Sequence, residues 1–147
     1  MFQALKTITG PMPSSEAHVR AALNNQATID YLLAGGVVHA PWVVTVAFYK
    51  ALHVVEAVLA RQRPPLHKNE HLSRNLYLKT ENRFRNIWTH YSVLFQVSQV
   101  ARYLSDDAAG GKYLTEDGIK DRIIGHHLRQ LTLSANKLIG EDVFPVE

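Results

Sequence analysis

The sequence predicts an all-α protein, folded as an antiparallel bundle of four main helices and one short helix. Apolar residues recur at helical spacing through most of the chain, and no segment has a pattern typical of a β-strand. The links between the periodic segments are short, which favours antiparallel neighbours. With 147 residues, the chain is long enough for one domain with its own core.

The first two helices have clear start and stop signals. Ser14 or Ser15 is a suitable N-cap for the first helix, and Gly35-Gly36 ends it. Pro41 suits the first turn of the second helix, which runs to about Arg61. This second helix is apolar on most sides, so we expect several other helices to pack around it.

Three more helices follow an Arg-Pro-Pro break. A short helix is expected over residues 68–78, because the residue before a proline disfavours helix and the break must come first. A longer helix is expected over residues 81–104, followed by a loop at residues 106–111. The last helix begins at the capping residue Thr115 and ends at Gly140.

We divide the chain into a flexible N-terminal arm, residues 1–13, and a single helical domain, residues 14–147. The chain has no cysteine, which excludes disulfides, thiolate metal sites and cysteine nucleophiles and is typical of a reducing compartment. The N-terminus lacks the basic and apolar pattern of a signal peptide. We therefore expect a cytoplasmic protein.

The segment from Trp42 to Ala60 is long enough to cross a membrane. It contains Lys50, His53 and Glu56, and groups that carry charge are costly to place in lipid. We therefore interpret it as the buried central helix of the bundle and expect no membrane association.

Positive charge is concentrated in residues 61–85. Seven lysines and arginines face two glutamates there, for a local charge of +5 in a chain whose net charge is +3. A local basic patch is typical of a protein with a phosphate-bearing partner, such as RNA or a nucleotide. A solvated loop and helix face would show the same pattern, and the sequence leaves both interpretations open.

Residues 67–71 (HKNEH) match the H-x-x-E-H pattern of some zinc peptidases. On a helix, His67 and His71 would share a face, with Glu70 as a base. His67 closely follows two prolines, however, and no third ligand is evident downstream. We therefore predict no metal ion and no other cofactor.

Polar side chains form a stripe on the second helix. Lys50, His53 and Glu56 are three residues apart, with Tyr49 beside them, on a helix that is otherwise apolar. Burial without partners would be costly, so these groups either bond one another or line a ligand site. Near the C-terminus, His126, Arg129 and Gln130 share one side of the last helix, which we interpret as a solvent-facing surface.

The stretch RNIWTHY, residues 85–91, combines groups that can act on a phosphodiester. Histidine moves protons near neutral pH, and arginine stabilises charge on a phosphate. Asn86 and His90 are four residues apart and share a helix face, whereas Arg85 and His90 are turned by about 140° from each other. A joint site therefore requires a break in the helix or contributions from two chains.

These residues resemble a known family. The Arg-Asn-x-x-x-His run at 85–90 resembles the R-x(4–6)-H motif of HEPN domains, in which a polar residue often follows the arginine. Residues 42–60 resemble the aromatic-rich second helix of many prokaryotic HEPN proteins, and YSVLFQVSQVARY at 91–103 resembles their Y-x-x-L-x-x-x-S-x-x-A-R-Y helix. The resemblance covers most of the chain, roughly residues 15–138.

The resemblance implies a HEPN-like homodimer that pairs the motif helices of two protomers around a composite cleft. Family members include metal-independent RNases of toxin and defence systems, partners of small nucleotidyltransferases, and inactive or nucleotide-binding proteins. Toxin members paired with a nucleotidyltransferase often carry a tyrosine as H-x-Y, whereas Tyr91 here adjoins His90 directly. The stretch HLSRN, residues 71–75, resembles an H-x-x-R element of other HEPN relatives.

Two functional hypotheses follow. In the first, the protein cleaves or binds RNA at a dimer cleft that contains Arg85, Asn86 and His90 as catalytic residues. In the second, it is a non-catalytic HEPN bundle that binds a nucleotide or a protein partner such as a small nucleotidyltransferase. The ligand-binding residues would then be Tyr49, Lys50, His53, His71 and Arg74.

Overall fold

A computed structural model describes residues 12–35, 39–103 and 112–146 of this chain. The described residues form five α-helices and one π-helical segment, and none of them lies in a β-strand. The all-α prediction is therefore confirmed. Most of the predicted arm and the predicted loop at residues 106–111 lie outside the described residues.

The first two helices begin and end where local signals predict. Helix α1 spans Ser15–Leu33, and the Oγ of Ser14 accepts a hydrogen bond from the Ala17 backbone N–H at 3.1 Å. Helix α2 spans Ala40–Ala60, with proline in its first turn. The Oγ of Ser15 donates to the Ala57 carbonyl at 2.9 Å, which fixes the start of α1 against the end of α2.

The third helix begins three residues later than predicted. Helix α3 spans His71–Thr80, because residues 61–70 fold back over the end of α2 instead of entering a helix. The Leu66 N–H donates to the Leu59 carbonyl at 2.9 Å, and the Arg74 guanidinium donates to the Lys68 carbonyl. These bonds hold the loop in an extended path up to Glu70.

Helix α4 spans Arg85–Tyr103 and follows a 3₁₀ turn at Asn82–Phe84. The predicted helix over residues 81–104 is therefore correct in its main part, but its first turn is tighter. The helix is regular from Arg85 to His90, so no break brings these two residues to one face.

The C-terminal helix consists of a π-helical segment followed by an α-helix. Residues Gly118–Leu128 form a π-helical segment, which passes directly into α5, Arg129–Ile139. Thr115 acts as a cap, as predicted, because its Oγ1 accepts from the Gly118 N–H at 3.0 Å. Gly140 ends α5 in the left-handed conformation, with φ of 89°, which glycine adopts without a steric penalty.

Helix α2 lies at the centre of the core and contacts α1, α4, α5 and the π-helical segment. It is long and apolar enough to cross a membrane, but 67% of its most apolar stretch is buried inside the protein. This burial fits the core helix of a soluble protein.

Candidate functional site

Two of the predicted catalytic residues, Asn86 and His90, lie on the side of α4 that meets the C-terminal helix, and Arg85 points elsewhere at the start of α4. Arg85 is exposed at the start of α4 and donates to Asn82 Oδ1 at 3.2 Å. Asn86 is also exposed, and its side-chain amide donates to the Ser134 hydroxyl on α5. His90 lies one turn further along α4, about 6 Å away along the helix axis.

His90 is buried, with 7% of its surface exposed, and it belongs to a three-histidine group with His126 and His127. Its ring centroid lies 5.2 Å from that of His126 and 5.3 Å from that of His127. One side-chain nitrogen from each of the three lies within 4.8 Å of the other two. His126 is exposed and His127 is half-buried, so the group reaches solvent through the C-terminal helix.

The π-helical segment places both of its histidines beside α4. In a π-helix the backbone hydrogen bonds join residues five apart, whereas in an α-helix they join residues four apart. Different residues therefore share a face in the two helix types. Here Ile123 and Leu128, five apart, are both in the core, while His126 and His127 contact His90. We had predicted that His126 faces solvent, which is correct, but its contact with His90 was not predicted.

The pair formed by His90 and His127 can both accept and donate a proton. Their Nδ1 atoms lie 3.1 Å apart, which fits one hydrogen bond between the rings. When both rings are neutral, the donor ring has a lone pair on Nε2 and the acceptor ring has a proton on Nε2. The pair can therefore accept a proton at one Nε2 and release one from the other Nε2, provided that the shared proton passes between the two Nδ1 atoms.

Both histidines of this pair favour the neutral form. Burial, and then repulsion from His126, lowers the pKa of His90 below its ordinary value. Burial lowers the pKa of His127 to about 4, with further repulsion from His126, His90 and Arg122. Both rings are therefore mainly neutral at pH 7.

The basic segment contains two cations that acidic groups already neutralise. Arg61 lies 3.0 Å from Glu141 and 3.9 Å from Glu16. Arg74 is buried in an ion pair with Glu56. Arg61 is nevertheless exposed, and the other exposed cations of the segment are Arg63, Lys79, Arg83 and Arg85. Only part of the local positive charge therefore faces solvent.

A second polar cluster surrounds Glu56, and we call His18, His53, Glu56, His67 and Arg74 the Glu56 cluster. Glu56 is 1% exposed and Arg74 is 3% exposed. Arg74 Nε donates to Glu56 Oε1 at 2.8 Å, and His67 Nδ1 lies 3.1 Å from Glu56 Oε2. Both carboxylate oxygens of Glu56 are thus engaged.

His18 and His53 complete this cluster from α1 and α2. Their Nδ1 atoms lie 3.1 Å apart, and His18 is 7% exposed. Burial lowers the pKa of both rings below the ordinary value, and the Glu56 charge opposes this effect. The buried Nε2 of His18 has no hydrogen-bond partner within the described ranges.

Tyr91 lies beside the same cluster. Its hydroxyl is buried and has no hydrogen-bond partner among the residues that the structure describes. Burial raises the pKa of Tyr91 to about 12, and the nearby charge of Arg74 offsets part of this increase. Two unpaired buried polar atoms therefore flank the Glu56–Arg74 ion pair.

The predicted ligand-binding residues converge in part, because His53, His71 and Arg74 lie close together whereas Lys50 lies apart. Lys50 is buried and donates to Gln26 Oε1 at 2.6 Å, away from the Glu56 cluster. Tyr49 is exposed, and its hydroxyl accepts from Arg102 at 3.4 Å. His71 is exposed beside the rings of Phe48 and Phe95, and its Nδ1 lies 3.4 Å from Arg74 Nη1, which connects it to the Glu56 cluster.

The HKNEH pattern does not form a helical metal site. His67 lies in the loop before α3 and contacts Glu56, whereas His71 begins α3 and contacts the aromatic residues. His67 instead forms a possible ligand set with His18 and Glu56, since one ligand atom from each lies within 4.8 Å of the others. These three residues come from α1, α2 and a loop, so their spacing in the sequence does not predict that they meet.

Comparison of the chain with models of known protein families, with curated proteins and with solved structures found no match.

Proposed function

We propose that this protein is a HEPN-type homodimer that binds RNA and cleaves it without a metal ion, at a cleft containing Arg85, Asn86 and the three-histidine group. The observation that carries the proposal is the hydrogen-bonded, neutral pair of His90 and His127. Asn86 shares the helix face of His90. Arg85, which directly precedes Asn86, is exposed. The antiparallel four-helix arrangement of a HEPN bundle and a cytoplasmic location are parts of the same proposal.

The proposed reaction needs one base, one acid and one cation. The histidine that presents a lone pair takes the proton of a 2′-hydroxyl, and the 2′-oxygen attacks the adjacent phosphorus. The bond from phosphorus to the 5′-oxygen breaks, and the other histidine donates its Nε2 proton to that oxygen. The proton shared by the two Nδ1 atoms crosses to the second ring at the same time, so both rings end neutral in their exchanged tautomers. Arg85 stabilises the charge on the phosphorane, and the products are a 2′,3′-cyclic phosphate and a 5′-hydroxyl.

A second protomer is needed to bring Arg85 close to a histidine. Within one chain, the regular helix turns Arg85 and His90 about 140° apart. Two α4 helices related by a two-fold axis would place Arg85 of one chain near the histidines of the other. The exposed cations that lead into α4 would then lie at the entrance to the cleft on both chains.

Cleavage of a mixed RNA pool in excess EDTA tests the proposal. Arg85→Ala removes an exposed group and is expected to reduce the cleavage rate by about 10²- to 10³-fold. Loss of acid–base catalysis in His127→Asn is expected to reduce the rate by about 10²-fold or more. Arg20→Ala removes an exposed cation of α1 and serves as the control, with a rate close to that of the unaltered protein.

Equal rates for the unaltered protein, Arg85→Ala and His127→Asn would rule out this site. Identification of the product ends adds an independent check, because the mechanism requires a cyclic phosphate. Melting temperatures of all variants, measured by circular dichroism, separate loss of catalysis from loss of folding.

A mixing experiment tests the composite cleft. Arg85→Ala and His127→Asn proteins are each expected to be inactive as homodimers, but a mixed dimer contains one cleft with both residues intact. Random exchange of chains should therefore restore about one quarter of the original activity. If Arg85 and His127 acted within the same chain, mixing would restore no activity.

The burial of His90 favours a second candidate function, which is binding without cleavage. A buried histidine is often a satisfied core group, and His90 already has partners in His126 and His127. In this case the non-catalytic protein binds RNA, a nucleotide or a nucleotidyltransferase partner. RNA would then raise the melting temperature, and Arg85→Ala would weaken that effect, while the RNA stayed intact.

A further inference from the structure

The Glu56 cluster contains the ligand atoms of a metal site that differs from the RNA-cleaving site proposed above. We propose that His18 Nε2, one ring nitrogen of His67 and Glu56 Oε2 bind one divalent transition-metal ion, with zinc as the reference ion. The three residues offer ligand atoms within 4.8 Å of one another. Two imidazoles and one carboxylate form a ligand set that zinc accepts, with a fourth position open to water or a substrate.

The unpaired nitrogen of His18 is the first argument. His18 is 93% buried, and its Nε2 lacks a hydrogen-bond partner in the described part of the chain. A buried polar atom without a partner is destabilising, so it indicates a missing ligand. If His18 donates its Nδ1 proton to His53, its Nε2 carries the lone pair that a metal ion requires.

The surroundings of the ligands supply the second argument. Histidines that bind metal ions usually donate their other ring N–H to an acceptor, and ligating carboxylates are usually hydrogen-bonded as well. His53 Nδ1 lies 3.1 Å from His18 Nδ1, and Arg74 Nε donates to the Glu56 oxygen that the metal ion does not need. Each buried ligand therefore already has its supporting hydrogen bond.

His67 is the ligand that must move closer when the ion binds. Bond lengths of 2.0–2.1 Å to zinc require tetrahedral ligand atoms to lie about 3.3 Å apart. The ligand atoms of His18, Glu56 and His67 lie within 4.8 Å of one another, so at least one of them must move closer. His67 is exposed and lies in the loop between α2 and α3, so it can approach without disturbing the core. Its present bond to Glu56 Oε2, at 3.1 Å, would be replaced by shared binding of the ion.

Charge distinguishes this cluster from the three-histidine group. Glu56 supplies a negative charge to the proposed site, whereas the three-histidine group has no carboxylate and lies near Arg122. Arg74 is a cation beside Glu56 and opposes metal binding, so we expect moderate affinity. The experiment must separate the two groups, because the three histidines also offer ligand atoms within 4.8 Å.

Metal-free protein, prepared with EDTA and then dialysed, is titrated with Zn²⁺ by calorimetry and with Co²⁺ by visible absorption. One equivalent of Zn²⁺ at saturation is expected to raise the melting temperature by about 5 °C. Co²⁺ should give the absorption bands of a tetrahedral nitrogen and oxygen site. His67→Ala should weaken zinc binding at least about tenfold, whereas His126→Ala should keep this binding event.

Either of two results would overturn the proposal. The first is the absence of Zn²⁺-dependent stabilisation and of a Co²⁺ spectrum in the unaltered protein. The second is binding that His126→Ala abolishes and His67→Ala leaves unchanged. Both substitutions alter exposed side chains, and melting in EDTA checks that the variants fold. Because RNA cleavage is measured in EDTA, its outcome does not depend on this site.

Discussion

The two histidine clusters of this protein differ in the charge that they bury. The Glu56 cluster combines one carboxylate, one guanidinium and three histidines, and its central ion pair is almost fully buried. The three-histidine group contains only imidazoles, and burial and repulsion lower the pKa values of His90 and His127, which favours the neutral form of these two rings. The first cluster holds compensated charge, and the second holds uncharged rings that can exchange protons.

This difference separates the chemistry that each cluster can support. A carboxylate with supporting hydrogen bonds favours a cation, so the Glu56 cluster suits a metal ion. A pair of neutral imidazoles joined by one hydrogen bond has one donor and one acceptor Nε2, which suits proton transfer. The two proposals therefore use different residues and can fail separately.

Removal of the carboxylate from the Glu56 cluster should have the largest effect on stability. Glu56→Gln keeps the shape of the side chain but leaves Arg74 as a buried cation without a counter-charge, which we expect to cost about 3–5 kcal/mol. Urea unfolding measures this loss. In the double variant with Arg74→Met, much of the loss should be recovered, because the uncompensated charge is gone. A loss below about 1 kcal/mol in Glu56→Gln would contradict a buried ion pair.

The three-histidine group depends instead on backbone geometry. A Cβ atom at Gly125 would lie 2.7 Å from the Lys120 carbonyl oxygen, which is closer than side chains tolerate. Gly125→Ala is therefore expected to disturb the π-helical turn and to cost about 1–3 kcal/mol. It should also reduce RNA cleavage, because His126 and His127 follow directly.

Gly35→Ala is a poor control for this change, since its Cβ would meet His39. Lys137→Ala, on the following helix α5, is better, because it shortens an exposed side chain without adding volume. If Gly125→Ala unfolded at the same urea concentration as the unaltered protein, the π-helical turn would not require glycine.

Local signals in the sequence predict the helices well. The Ser14 cap, the proline at the start of α2 and Gly140 each act through neighbours within four residues, so their effect can be read along the chain. The loop before α3 was predicted wrongly by three residues, because the bonds that extend it reach Leu59 and Arg74. Such bonds depend on the folded arrangement of α2 and α3.

The candidate sites were predicted only in part. Arg85, Asn86 and His90 were identified from one short motif, but the contact of His90 with His127 depends on the π-helical segment. The spacing of five residues between the apolar Ile123 and Leu128 was the feature of the sequence that could have indicated a π-helical turn. The Glu56 cluster joins α1, α2 and a loop, and no spacing in the sequence predicts that His18 and His67 meet across it.

The lowered pKa of His127, in the three-histidine group, makes the stability of the fold depend on pH. The pKa of His127 is about 4 in the folded protein, against about 6.5 when unfolded, so the unfolded state binds more protons between these values. Stability should therefore fall as the pH decreases from 6.5 to 4. His127 is only half-buried, and solvent screening reduces its contribution to about 1 kcal/mol.

Urea unfolding of the unaltered protein and of His127→Asn, at pH 7.5 and at pH 5, isolates this contribution. The groups that face His127 are His90, His126, Arg122 and Tyr113, and all remain in the variant. We expect the variant to lose less stability than the unaltered protein when the pH is lowered. Equal losses would mean that His127 titrates normally in the folded protein.

The start of α1 provides the smallest change that still distinguishes the two clusters, because it holds His18, whereas the three-histidine group is formed by α4 and the π-helical segment. Ser14→Ala removes the bond from the Ala17 N–H to the Ser14 hydroxyl and should cost about 1 kcal/mol. Thr28→Ala, in the middle of the same helix, is the matched control, because its hydroxyl bonds only to the Asn24 carbonyl and alanine favours helix. If the Glu56 cluster depends on this cap, Ser14→Ala should also weaken zinc binding while leaving RNA cleavage unchanged. Equal thermal stability of Ser14→Ala and Thr28→Ala would show instead that the Ser15 bond to Ala57 holds the helix start without the cap.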